Sequence, residues 1–194
     1  MKSKSTIKSE IHQIPAGLLI GDKRTEIFGC RDSQQTFFLT DGKTFRFAEL
    51  PGIKKAQIFE QLLNDDVAFE DLKHLTQEEA IEKFAFCNYG AADHEADFCE
   101  KGELKNQDNF ICSNNCMCLK WKSKKITVDG IALTSRELQV VTLMASDLAD
   151  KQIADQLGIT VSTLNTHKIH LFEKFSVHSK SGLITKAFHQ KIIQ

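Results

Sequence analysis

Asp150-Lys151-Gln152-Ile153-Ala154-Asp155-Gln156-Leu157-Gly158-Ile159, continued by Thr160-Val161-Ser162-Thr163-Leu164-Asn165-Thr166-His167-Lys168-Ile169-His170-Leu171-Phe172-Glu173-Lys174-Phe175, decides the architecture of this chain. Gly158 stops a short helix and Thr160 opens the next. Small Ala154 permits close approach, Gly158 supplies the turn conformation, and Ile153, Leu157, Ile159 and Leu164 fill the angle between two helices crossing at a tight turn. On the second helix Leu164, Leu171, Phe172 and Phe175 form an inward face, leaving Thr163, Asn165, Thr166, Lys168 and His170 outward. Short polar and basic side chains at the start of an exposed helix suit the DNA major groove. Taken alone, the same face also fits a solvated helix in a bundle.

The flanks and the charge favour the groove. Thr134 and Glu137 form a capping box ahead of an apolar face made by Leu138, Val141, Leu143, Met144 and Leu148. From Leu119 to Gln194 there are 11 Lys and Arg against 6 Asp and Glu, whereas Met1 to Cys118 carries 14 against 20. The formal net charge of -1 over 194 residues therefore conceals a basic C-terminal part and an acidic N-terminal one, two modules with different partners.

Leu133-Thr134-x-Arg136-Glu137, Lys151-x-Ile153-Ala154-x-x-Leu157-x-Ile159, Thr163-Leu164-x-Thr166-His167 and Lys174-Phe175-x-Val177 together resemble the LuxR/GerE-type helix-turn-helix of bacterial transcription regulators. The resemblance covers roughly residues 131–188. It implies four helices, a recognition helix over Ser162–Phe175, and a last helix near Ser179–Gln190 used for dimerisation. The family usually has Ser where Ala149 stands, often Lys where Asn165 stands, and Asn where His170 stands. The whole chain also looks like a poorly characterised group of short regulators with a Cys-rich segment before this domain.

Upstream, Thr36–Thr40 and Lys43–Phe47 flank Asp41-Gly42 and read as a tight hairpin. After Pro51-Gly52 the period becomes helical through Ile53, Ala56, Phe59, Leu62 and Leu63, then less regularly through Val67, Leu72 and Leu75. Thr76 and Glu79 open a further helix. The expected fold is an α+β N-terminal domain (a β-hairpin plus helices, residues 1–86), a Cys-rich junction (87–125) and an all-α four-helix C-terminal domain (126–194).

The junction has too few apolar side chains to offset its ordering entropy. A metal held by thiolates supplies the difference, since structural zinc contributes roughly 10–16 kcal/mol in small domains. Cys112 and Cys116 are the first candidate ligands, followed by Cys99 and Cys87, with Cys118 competing for the fourth place and His94 as a substitute. Free structural cysteines and redox chemistry are the alternatives. A zinc deaminase is excluded: it needs His-x-Glu and Pro-Cys-x-x-Cys, whereas Glu95 follows His94 directly and three residues separate Cys112 from Cys116.

The function expected is that of a sequence-specific DNA-binding transcriptional regulator and not an enzyme, because no acidic metal cluster or nucleophile–base pair can be assembled. Thr163, Asn165, Thr166, Lys168 and His170 are the candidate groove residues, with Lys151, Lys174 and Lys180 for phosphates. Leu183, Ile184, Ala187 and Phe188 recur at helical spacing as a homodimerisation face, the alternative being that they complete the domain's own core. The competing function is an adaptor whose acidic part binds another protein, such as RNA polymerase, with the helix-turn-helix as docking module. A receiver domain, an acyl-homoserine-lactone domain and a sigma factor do not fit the order of elements, the single Trp121 and Tyr89, or the acidic start. The apolar stretch Ile14–Ile20 is too short to span a bilayer and lacks a signal-peptide pattern, so a cytoplasmic protein is expected.

Overall fold

The Asp41-Gly42 hairpin forms, with positive φ at both residues (51° and 74°), the conformation that a tight two-residue turn demands. The computed structural model describes residues 14–113 and 116–193. The hairpin strands, β2 (Gln35–Thr40) and β3 (Lys43–Arg46), are joined by β1 (Glu26–Cys30), which pairs antiparallel with β2 from Glu26↔Leu39 to Cys30↔Gln35. This third strand was not expected from the sequence. It carries a buried Glu26 whose Oε1 accepts from the Asp93 amide at 2.5 Å.

Three helices follow, α1 (Gly52–Leu63), α2 (Asp66–Leu72) and α3 (Gln77–Asn88); α3 packs against β1 and β2, α1 against α3, and α2 against α1. Thr76 caps α3 reciprocally with Glu79, as its sequence indicates. On α1 the buried stripe runs through Ile58 and Leu62, while Ile53 and Leu63 are exposed. The helical period was right, but Ile53, five residues from Ile58, lies on the far side of the helix.

The Cys-rich stretch does not stand apart from this layer. Cys87 lies in the last turn of α3, and Cys112, Cys118 and Trp121 are buried in the same core as Phe38, Phe47 and Phe84. Trp121 stacks on Phe84 and donates from Nε1 to Asp71 at 2.8 Å. Two buried carboxyl groups and a half-buried one organise the irregular loop between Gly90 and Asp108 by accepting from backbone amides: Glu26, Asp97 (from Ile27 at 2.6 Å) and the half-buried Asp108 (from Ala91 at 3.0 Å).

A second core begins at Ile126. A small hairpin, β4 (Thr127–Val128) and β5 (Ile131–Ala132), turns over Asp129-Gly130 and precedes four helices: α4 (Ser135–Met144), α5 (Asp150–Gln156), α6 (Val161–Lys174) and α7 (Lys180–His189). Val141, Met144, Ile153, Leu164, Leu171, Phe175 and Leu183 are among its buried residues. Among the described residues no helix is long and apolar enough to cross a membrane.

Candidate nucleic-acid interface and thiol cluster

The α5–α6 corner is built by local chemistry. Gly158 adopts φ 63°, and the Ile159 amide returns to the Ala154 carbonyl at 3.0 Å, closing the C-terminus of α5. Thr160 caps α6 by accepting from the Thr163 amide at 3.1 Å. Ala149 has no side-chain oxygen with which to cap α5, and the Gln152 side chain instead accepts from the Ala149 amide at 2.9 Å.

Leu164, Leu171 and Phe175 are fully buried, which fixes the rotation of α6 about its axis. Thr163, Asn165, Thr166 and His170 are consequently exposed together on its outer face. Ile169 joins them at 56% exposure, one turn beyond Asn165 and Thr166. Its β-branched apolar side chain was not singled out in the sequence, although its i+4 spacing from Asn165 would have placed it there.

Two of the lysines assigned to DNA are otherwise engaged. Lys168 is largely covered, and its Nζ lies 2.8 Å from Asp150 Oδ2, which ties α6 to the start of α5. Lys174 Nζ donates to Glu137 Oε2 at 2.8 Å and to the Ala132 carbonyl at 3.0 Å. Lys151 and Lys180 are exposed and make no ion pair among the described residues. On α7, Leu183 and Ala187 are wholly buried in the second core, so they are not available to a partner. Ile184 is half-buried and Phe188 is 60% exposed. Phe188 also borders a groove shared with Phe28 and Phe110 of the N-terminal half.

The second cluster joins residues distant in sequence. The sulfurs of Cys87, Cys112, Cys116 and Cys118 all lie within 4.8 Å of one another, with Cys112 and Cys118 at 3.6 Å. Cys99 stands apart, its Sγ 3.6 Å from Glu103 Oε2, and exposed His94 lies 3.9 Å from Glu95. A tetrahedron of sulfurs around zinc has edges of about 3.8 Å, given a Zn–S distance of about 2.3 Å, so the four thiols fit such an ion without rearrangement of the backbone. Hydrogen bonds from Cys112, Cys118 and Cys87 hold the Cys116 thiol far below its ordinary range, whereas the bonds to Cys112, Cys116 and Cys118, together with burial, push Cys87 upward.

A two-helix corner with one helix face buried and the other presented to solvent defines a helix-turn-helix module. Residues 132–187 match the family described as bacterial regulatory proteins, luxR family, and this part of the chain is a GerE/LuxR-family helix-turn-helix domain. The oxygen regulatory protein NreC of Staphylococcus carnosus (strain TM300) is 34% identical over 61 residues, covering 31% of this chain and 28% of its own. NreC of Staphylococcus aureus (strain JH9) is 34% identical over 62 residues, 32% and 29% of the two chains. The matched stretch therefore spans less than a third of these relatives. No solved structure matches the chain significantly.

Proposed function

We propose that this protein is a non-enzymatic, sequence-selective transcriptional regulator of the cytoplasm that reads the DNA major groove with α6. One observation carries the reading: Thr163, Asn165, Thr166, Ile169 and His170 are exposed together on a helix whose opposite face is locked into a core. Asn165 pairs with an adenine edge through its amide, and Thr166 and Ile169 meet thymine methyl groups. Lys151 and Lys180 contact phosphates and set the register without reading sequence. The DNA-binding unit begins near Ile126, and the cysteine segment belongs with the N-terminal half.

The proposed assembly on DNA is a homodimer through the solvent side of α7, with Ile184 and Phe188 at its centre and half-sites about 10 bp apart. Cys87, Cys112, Cys116 and Cys118 are proposed to hold one structural Zn²⁺ in a closed shell, which stabilises the fold and leaves no open position for a reacting water.

Selection of the full chain against a library of random duplexes tests the regulator reading. Recovery of a short inverted repeat is expected. A library that stays random after repeated rounds, while a protein co-purifies with the acidic half, would reverse it in favour of an adaptor.

A further inference from the structure

Lys124 is buried in the linker between the two cores, yet pairs with no carboxylate among the described residues. Its ammonium donates to the Cys87 carbonyl and lies 5.7 Å from the Phe110 ring centroid. Cys87, whose carbonyl accepts from Lys124, also contributes its sulfur to the four-thiol cluster, so the ammonium is held on the backbone of a cluster residue. Asp108 accepts instead from the Ala91 amide at 3.0 Å. A buried cation without a counter-charge is costly, and a carbonyl and an aromatic face offset only part of that cost. Thiolates at the Cys87 cluster would supply the missing counter-charge.

Four thiols that bind one divalent ion as thiolates release their protons to solvent and leave the centre with a net charge of about −2. We infer that Lys124 is the counter-charge of a metal–tetrathiolate centre formed by Cys87, Cys112, Cys116 and Cys118, so that metal binding locks the linker between the two halves of the chain. The inference rests on the metal reading given above and extends it from local stability to the mounting of the DNA-binding half.

The linker geometry shows what is locked. On one side of Lys124, Trp121 is held in the first core, and the Ser123 amide donates to Asp65 Oδ2 at 2.6 Å. On the other side, Ile126 enters the second core, and the Thr127 amide and carbonyl bond the Asn109 side chain at 2.8 and 2.7 Å. Ile111 and Leu119, each next to a cysteine of the cluster, pack against the second core, and the Leu119 carbonyl accepts from Ser135 Oγ at the start of α4. Closing the thiolate cluster thus fixes the segment against which α4 rests. Lys124, acting through the sulfurs, is a positioning residue, and its role belongs to the metal-loaded state.

The test compares the full-length wild type, Lys124→Met and Lys124→Arg for Zn²⁺ retention against a chromophoric chelator. Cobalt-substituted spectra report the thiolate shell, and amide hydrogen exchange across 121–127 is read with and without Zn²⁺. We expect Lys124→Met to bind Zn²⁺ about tenfold or more weakly, and Lys124→Arg to recover most of that loss. The zinc-free forms of wild type and Lys124→Met should melt together. Equal Zn²⁺ retention in Lys124→Met, or a zinc-free Lys124→Met as destabilised as the loaded one, overturns the inference alone. Wild type that takes up no Zn²⁺ rejects the tetrathiolate reading itself. If Lys124→Met does not fold, the wild-type exchange data decide: slowing at 123–127 on adding Zn²⁺ supports the inference, and unchanged exchange there overturns it.

Discussion

Lys174, at the end of α6, is bound to Glu137 in the first turn of α4, Nζ to Oε2, at 2.8 Å. Glu137 also accepts from the Thr134 amide and hydroxyl at 2.8 and 3.0 Å, so one carboxylate closes the cap of α4 and anchors α6. Burial opposes ionisation of Glu137, but the bonds from Lys174 and Thr134 outweigh it and hold its pKa below the ordinary glutamate value. Stability from this group is present above the ordinary pKa and is lost as pH falls through the folded one. Lys174→Met should cost about 1–3 kcal/mol in chemical denaturation. It should leave the salt dependence of DNA binding unchanged. A shallower salt slope with normal stability would return Lys174 to the phosphates.

The carboxyl cluster of the N-terminal half gives the opposite pH dependence. Burial raises Glu26 to about 9 and Asp108 to about 7, and raises Asp97 as well, with mutual repulsion adding to each. In the folded chain these groups keep protons that the unfolded chain has released. Their contribution is full below the ordinary carboxyl pKa and declines as pH rises toward 7 and then 9. The melting temperature should fall between pH 5.5 and pH 9 by several degrees, on the order of 1–2 kcal/mol. Glu26→Gln, which cannot lose a proton, should flatten that fall. An equal decline in the variant would place its origin elsewhere, for instance in the thiols.

Substitution of single cysteines separates the structure from the spacing pattern. Cys99→Ser should retain wild-type zinc content, because Cys99 lies with Glu103 outside the cluster. Cys118→Ser should lose most of it, since Cys118 is fully buried among the other three sulfurs. Metal analysis of the two purified variants checks this, and the reverse pattern would refute the assignment.

On α7, neighbouring apolar residues should behave very differently. Leu183→Asp places a charge in the second core and should cost more than about 4 kcal/mol, enough to unfold the domain. Phe188→Ser should change stability by less than about 1 kcal/mol, yet shift sedimentation on operator DNA from two chains toward one. A Phe188→Ser protein that still binds as a dimer would remove this helix face from the interface.

The parts legible in the sequence are those fixed by neighbours a few residues away. The Thr134–Glu137 and Thr76–Glu79 boxes, the Gly158 corner and the Asp41-Gly42 turn are local, and each appears where the residues indicate. The illegible parts depend on partners far along the chain. Strand β1 holds a buried glutamate because Asp93, 67 residues away, offers it an amide. Lys168 and Lys174 look like groove and phosphate lysines until Asp150 and Glu137, 18 and 37 residues away, are seen to engage them. Spacing alone ranked Cys99 beside Cys87. Only the return of the chain after Phe110 brings Cys112, Cys116 and Cys118 onto the end of α3.

The most direct test of the regulator reading is a titration of the full chain with its selected duplex and with a scrambled one, for wild type, Asn165→Ala and Thr166→Ala. Each variant should lose about 1–3 kcal/mol on the selected duplex and little on the scrambled one, with the salt slope preserved. Lys151→Ala should instead weaken both duplexes alike and reduce the slope by about one. Wild-type affinity and selectivity in both α6 variants would contradict the claim that this helix reads DNA.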